Sequence, residues 1–141
     1  MNKTLSIPRT LANRLLTLAQ SAPDTEICGL ISKSASHVSK RHYHVYPVDN
    51  VATDAGSLFE MAPQQQIRAF KSIREKNETL FAIYHSHPHS AAIPSEKDLK
   101  GAAYSDDALN IIISSATRGV LEIRGYFYEE NTVEAVELVV D

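Results

Sequence analysis

A single cysteine, Cys28, is the only thiol in this 141-residue chain. An internal disulfide framework is therefore excluded, and a reducing cytoplasm is the expected setting. No apolar run reaches the length of a membrane span, and Met1 to Pro8 lacks the long apolar core of a secretory signal, so no membrane partner is expected. Net charge is -3 with no basic block or stripe, which makes nucleic acid a poor partner. Internal repeats, low-complexity tracts and linkers are also missing. What remains is an ordinary globular composition, 43% hydrophobic and 22% charged. The length predicts one domain over residues 1–141 with a single core. None of these features fixes an oligomeric state.

The hydrophobic pattern predicts an α/β chain. Leu5 and Ile7 form a short first strand. Pro8 sits in the first turn of a helix, whose stripe is Leu11, Leu15, Leu16, Leu18 and Ala19 and which ends at Ser21–Asp24. Ile27–Ser32 is a buried strand, Val38–Val48 alternates like a hairpin partner, and Asp49–Phe59 is a loop. Pro63 opens a second helix with Ile67, Phe70, Ile73 and Arg74 at helical spacing. Thr79–Tyr84 is apolar on both faces, the mark of a strand in the middle of a covered sheet. His89–Pro94 reads as a loop, and Ser95 begins a third helix through about Ala103. Ala108–Ser114 is another buried strand, and Val120–Tyr128 with Thr132–Val140 forms a hairpin. The expected architecture is a mixed sheet covered by helices.

The most specific signal begins on the end of the central strand: His85, Ser86, His87, Pro88, then Ser95 and Asp98, all within fourteen positions. Such a pattern arises by chance in about one chain of this length in 100,000, at a few per cent usage per residue type. Side chains at i and i+2 of an extended segment share a face, so His85 and His87 can meet one ion while Ser86 turns away. Pro88 ends the ladder. Asp98, one turn into the helix, can swing back to give a three-ligand zinc site with one position open. Ser95-x-x-Asp98 alone reads as a helix cap, and a lone His85 as a satisfied buried histidine. The joint pattern favours metal, because a cap does not require His-x-His-Pro at a strand end. Ser95 can cap the helix and face the site together. A second pair, His42 and His44, has no carboxylate at a following helix start and reads as the solvent face of a strand. His37 and His89 read as surface residues, with His89 near enough to line the site.

Hydrolysis at such a centre needs a proton shuttle not bound to the metal. Glu26, Glu60, Glu75, Glu78 and Glu96 are the candidates. Glu26 stands where a loop enters a buried strand, beside Cys28 and Gly29, and a strand-end salt bridge is the equal alternative there. Glu96 in a first helical turn is explained by the helix dipole. Cys28 as a nucleophile is the less favoured reading, since a small apolar residue in a buried strand is inert. A closed structural zinc site would need a fourth ligand such as His89. Gly29 and Tyr84 read as packing residues.

Glu26-Ile27-Cys28-Gly29-Leu30, followed by His85-Ser86-His87-Pro88-(six)-Ser95-x-x-Asp98, resembles the JAMM (MPN+) zinc metalloprotease family in its short prokaryotic form. The motif is matched without substitution, and the similarity runs over nearly the whole chain. The resemblance implies an MPN fold, related to the cytidine deaminases, with a curved mixed sheet between helices. The Pro-Cys-x-x-Cys segment of the deaminases is absent, which disfavours deamination. It further implies one Zn2+ per chain on His85, His87 and Asp98, Glu26 as general base and acid, and Ser95 on the developing oxyanion or the water. The implied activity is cleavage of an amide bond after the C-terminal Gly-Gly of a ubiquitin-like sulfur carrier protein. Asn50–Phe59 and His89–Pro94 are the expected groove walls. The alternative is a non-catalytic, zinc-containing module that binds such a partner.

Overall fold

The computed structural model describes residues 3–34, 43–101, 108–116, 121–129 and 132–141. The elements are β1 (Lys3–Ile7), α1 (Arg9–Gln20), β2 (Cys28–Ser34), β3 (Tyr43–Val48), α2 (Pro63–Glu75), β4 (Glu78–His87), α3 (Glu96–Gly101), β5 (Leu109–Ser114), β6 (Glu122–Glu129) and β7 (Thr132–Val140). The seven strands make one mixed sheet in the order β1-β7-β6-β5-β4-β2-β3. The β4–β5 and β1–β7 pairs are parallel and the others antiparallel. The α/β reading with a covered mixed sheet is borne out.

Two faces of β4 explain its unbroken apolar run. On one, Ala82 and Tyr84 join Ile31, Leu109, Ile111 and Ile113 under α1, which contributes Leu11, Ala12, Leu15 and Ala19. Each fully buried leucine or isoleucine there contributes roughly 1.5–3 kcal/mol. On the other, Ile83 and Leu80 pack with Leu30, Val48 and Met61 under Ala69 and Ile73 of α2. Farther along this face Ile112, Tyr126 and Tyr128 enclose Ala92. Alternation along β5 follows the same division, since Leu109, Ile111 and Ile113 face α1 while Ile112 faces away.

Two details differ from the pattern-based reading. Pro8 precedes the helix in extended conformation (φ -66, ψ 146), and its carbonyl accepts from Leu11 and Ala12 instead of lying within the first turn. In α2 the expected stripe is buried only in part: Ile73 is buried, joined by Ala69, whereas Ile67 is 66% exposed and Phe70 38%. The helix covers only the β3–β2–β4 side of the sheet, so its buried stripe is narrow. As expected from Pro88, strand β4 continues through His87, and both histidines belong to the ladder. The expected extensions at 38–42, 102–103 and 120, and the turn residues Glu130 and Asn131, lie outside the described residues.

Candidate metal centre

Parallel pairing of β4 with β5 brings two strand carboxyl ends to one edge, the usual place for a site in an α/β sheet. His85 lies in register with Cys28 on β2 and Ile112 on β5, and both imidazoles are about 3% exposed. Their Nε2 atoms are 3.1 Å apart. Asp98 Oδ2 stands 3.2 Å from His85 Nε2 and 3.0 Å from His87 Nε2. Glu26 completes a buried four-residue group whose donor atoms all lie within 4.8 Å of one another.

The donor set fits a divalent ion. Bonds of about 2.0–2.1 Å in tetrahedral geometry separate neighbouring ligand atoms by roughly 3.3 Å, close to the 3.0–3.2 Å edges of the His85–His87–Asp98 triangle. The tautomer is also set for it. His87 Nδ1 contacts Ala91 O at 2.8 Å, so the Nδ1–H donates there, and in the neutral imidazole, the form that binds an ion, Nε2 presents a lone pair. His85 is stacked on Phe59, with centroids 4.4 Å apart and planes at 24°, which fixes its ring. Burial holds His85 below its ordinary pKa, favouring the neutral, ligating imidazole. Burial also pulls His87 down, but the Asp98 carboxylate and the Ala91 carbonyl outweigh it and raise the group. Burial likewise works against ionised Asp98, but hydrogen bonds from both histidines hold its carboxyl well below the usual carboxylate range.

Ser95 and Asp98 form a reciprocal cap: Asp98 N–H donates to Ser95 Oγ at 3.0 Å, and Ser95 N–H donates to Asp98 Oδ2 at 2.9 Å. The capping and site readings therefore coexist, because the capped oxygen is also the one that faces the histidines. Ser95 Oγ accepts a bond and retains its own proton for donation.

Glu26 is 4% exposed, and its Oε1 is buried without a partner. Burial, reinforced by Asp98 and opposed by His87, pushes its carboxyl up to about 7. The strand-end salt-bridge alternative is absent among the described residues. The remaining carboxylate candidates are elsewhere. Glu75 pairs with Lys71 at 3.9 Å, and Glu60 and Glu96 are exposed. Glu78 is buried at the far end of β4, where it accepts from Ser32 and Tyr46 and pairs with His44 at 3.1 Å. His44 is thus half-exposed and partnered rather than simply solvated; His37 and His42 lie outside the described residues. His89 is exposed and 3.8 Å from Asp24, outside the donor group. Cys28 donates to Val48 O, and burial pushes its thiol up to about 12, which removes it as a nucleophile.

Several positioning residues carried no signal in the sequence. Asn50 donates to the carbonyls of Glu26, Ala55 and Leu58 and accepts from the amides of Ala52 and Glu60, tying the Glu26 segment to the loop that carries Phe59. Tyr126 donates to Ala92 O at 2.6 Å and Ser114 donates to Ser90 O, which holds Ala91 O beneath His87. The Asn50–Glu26, Ser114–Ser90 and Tyr126–Ala92 contacts join residues distant in sequence, so no local spacing betrays them. Only an asparagine in a loop hints at such a role.

A family model for the prokaryotic homologs of the JAB domain matches residues 8–124. The chain belongs to this family. The JAMM assignment made from the motif agrees with it. This JAB domain is 30% identical over 88 residues to a desampylase of Haloferax volcanii, a match covering 61% of this chain and 60% of the relative. It is 27% identical over 123 residues to the CysO-cysteine peptidase of Mycobacterium tuberculosis, covering 86% of this chain and 81% of the relative. A probable TtuB-protein conjugate cleaving protease of Thermus thermophilus is 35% identical over 60 residues, 43% of this chain and 40% of that one. A solved protein from Desulfitobacterium hafniense shares the fold, with TM-score 0.79 at 24% identity over 96% of this chain and 92% of its own. No described helix is long and apolar enough to cross a membrane.

Proposed function

We propose that this JAB domain is a zinc-dependent peptidase or isopeptidase that hydrolyses the amide bond after the C-terminal Gly-Gly of a ubiquitin-like sulfur carrier protein. The observation that carries the reading is the buried, unpartnered Glu26 carboxyl beside the His85–His87–Asp98 triangle. The names of the curated relatives support it, because they are a desampylase, a peptidase and a conjugate-cleaving protease. A reducing cytoplasm suits the buried free thiol.

In this reading His85, His87 and Asp98 hold the ion. Bound there, it supplies Lewis-acid polarisation of the scissile carbonyl and an acidified water. Glu26 takes a proton from the attacking water at its unpartnered Oε1. A carboxyl raised to about 7 is matched to that task, being basic enough to accept the proton and acidic enough to return it. As the C–O bond forms, Ser95 O–H donates to the oxygen on which negative charge grows. Glu26 then delivers its proton to the departing nitrogen, the C–N bond breaks, and a carboxyl tail and a free amine leave. The Phe59 ring and the Ala91–Ala92 backbone keep both imidazoles from turning during this exchange. A Gly-Gly tail suits this chemistry because a segment without side chains lets its backbone approach a sheet edge closely and pair with it.

The test is mass spectrometry of carrier proteins extended beyond Gly-Gly, before and after incubation with the zinc-loaded protein. The expected result is a carrier shortened to its Gly-Gly terminus. Carriers that stay intact, yet co-elute with the protein, would instead support the non-catalytic binding module.

A further inference from the structure

We propose that Ser86 is a positioning residue whose hydroxyl sets where Glu26 stands relative to His85 and His87. The proposal rests on the hydrolase reading above. Ser86 lies between the two histidines on β4, and its side chain points to the opposite face of the sheet, away from the donor group. In a hydrogen-bonded pair of an antiparallel ladder, the two residues exchange both backbone N–H···O=C bonds. The β2–β4 ladder runs from Ser34 opposite Glu78 as far as Cys28 opposite His85. At the next position, Ile27 beside Ser86, the exchange is only half backbone. Ser86 N–H donates to Ile27 O at 3.0 Å. The return bond goes to a side chain: Ile27 N–H donates to Ser86 Oγ at 2.8 Å.

A hydroxyl oxygen therefore stands where the ladder would use a carbonyl. The chain parts from the sheet at that point, and Glu26 is the first residue beyond it. Glu26 has no strand partner; its N–H donates to Ala55 O at 2.7 Å and its carbonyl accepts from Asn50 Nδ2 at 2.9 Å. The Glu26 backbone is thus suspended between the 49–60 loop on one side and the Ser86 hydroxyl, through Ile27, on the other. The loop contacts set its height above the sheet. Among the described residues, the two bonds between Ile27 and Ser86, one of them through the hydroxyl, reference it to the strand that carries His85 and His87, so the hydroxyl shares in fixing the base against both imidazoles. Misplacement of a reacting group by about 1 Å can lower a rate by roughly a hundredfold.

The test compares wild type with Ser86→Ala and Ser86→Thr, the latter keeping the oxygen on a β-branched side chain suited to a strand. Amide hydrogen exchange of the metal-free chain is read by NMR alongside turnover and metal content of the loaded protein. Alanine should speed exchange of the Ile27 and Glu26 amides by about tenfold or more while Leu30 and Ile112 are unchanged. It should lower kcat by about tenfold to a hundredfold with KM and bound metal unaltered. Threonine should restore both. Ser86→Cys, a weak acceptor of similar size, replaces alanine if that variant does not fold. Unchanged Ile27 exchange overturns the proposal, as does faster exchange with kcat intact. A wild-type protein inert on every Gly-Gly carrier counts against the hydrolase reading instead, and the exchange measurement still decides whether the hydroxyl holds the Glu26 segment.

Discussion

At the scale of single residues, Glu26 is the group whose environment most departs from that of an ordinary carboxylate. Its ordinary value is 4.5, and burial carries it to about 7. In the metal-free protein the folded chain thus holds a proton between these pH values that the unfolded chain has lost. Stability falls as pH rises through that window, and the slope ends above the folded value. Glu26→Gln removes this dependence, a difference on the order of 3 kcal/mol between pH 4.5 and 7.5, read as the change in urea-unfolding free energy of the variant against wild type. The same variant retains metal and loses roughly 100- to 10,000-fold in turnover. Equal pH slopes in the two proteins would show that Glu26 is not buried as described. Which side chains would gather was legible in the sequence because ligand chemistry restricts residue type. His85, His87 and Asp98 do meet, and they are brought together with Glu26 across fifty-eight intervening positions or more. What could not be read was their support. His87 Nδ1 is held by a backbone carbonyl, and backbone atoms carry no residue code.

Among the elements, β2 shows how packing and site geometry share residues. Gly29 sits one position beyond Cys28 and pairs with Tyr84 and Pro47. A Cβ there would lie 2.4 Å from Tyr46 O and 2.5 Å from the Tyr84 hydroxyl. One obstacle is backbone and the other is a side chain that is only 1% exposed, so neither yields easily. Gly29→Ala is therefore expected to lose roughly 1–3 kcal/mol in urea unfolding, with the β2–β3 end of the sheet shifted. A variant as stable as wild type would contradict the close approach. The sequence reading of Gly29 as a packing residue holds. The burial of Ala69 in place of Ile67 and Phe70 was not legible, because Ile67, Phe70 and the buried Ile73 follow one another at helical spacing just as Ala69 and Ile73 do. Which stripe is buried depends on the sheet beneath, and α2 covers only one side of it. The 49–60 loop was placed correctly as a loop, but its tie to Glu26 through Asn50 is a tertiary contact without a local pattern.

For the whole molecule, the seven-stranded order places the candidate centre at the junction of β4, its neighbour β2 and the start of α3. The Glu26 segment converges there with the His85–Asp98 run, whose three ligands meet only when β4 and α3 are formed, so an ion bound to the folded state has no equivalent site in the unfolded chain. Binding then stabilises by mass action. At free zinc about a thousandfold above its Kd the gain is ~4 kcal/mol, seen as a rise in Tm that a chelator reverses. His85→Ala and Asp98→Ala should each abolish the rise, whereas Glu26→Gln should keep most of it. The fold class was legible because the βαβ pattern and a doubly apolar central strand permit few arrangements. The strand order was not, since β1 joins the sheet beside β7 at the opposite end of the chain, a pairing no local pattern encodes.

The most direct measurement is an anomalous difference map from crystals of the zinc-loaded protein, collected on both sides of the zinc absorption edge. The account predicts one peak per chain, bounded by His85 Nε2, His87 Nε2 and an Asp98 carboxylate oxygen, with Glu26 facing it. A fully loaded crystal whose peak lies elsewhere, or that shows no peak between these three residues, would contradict it.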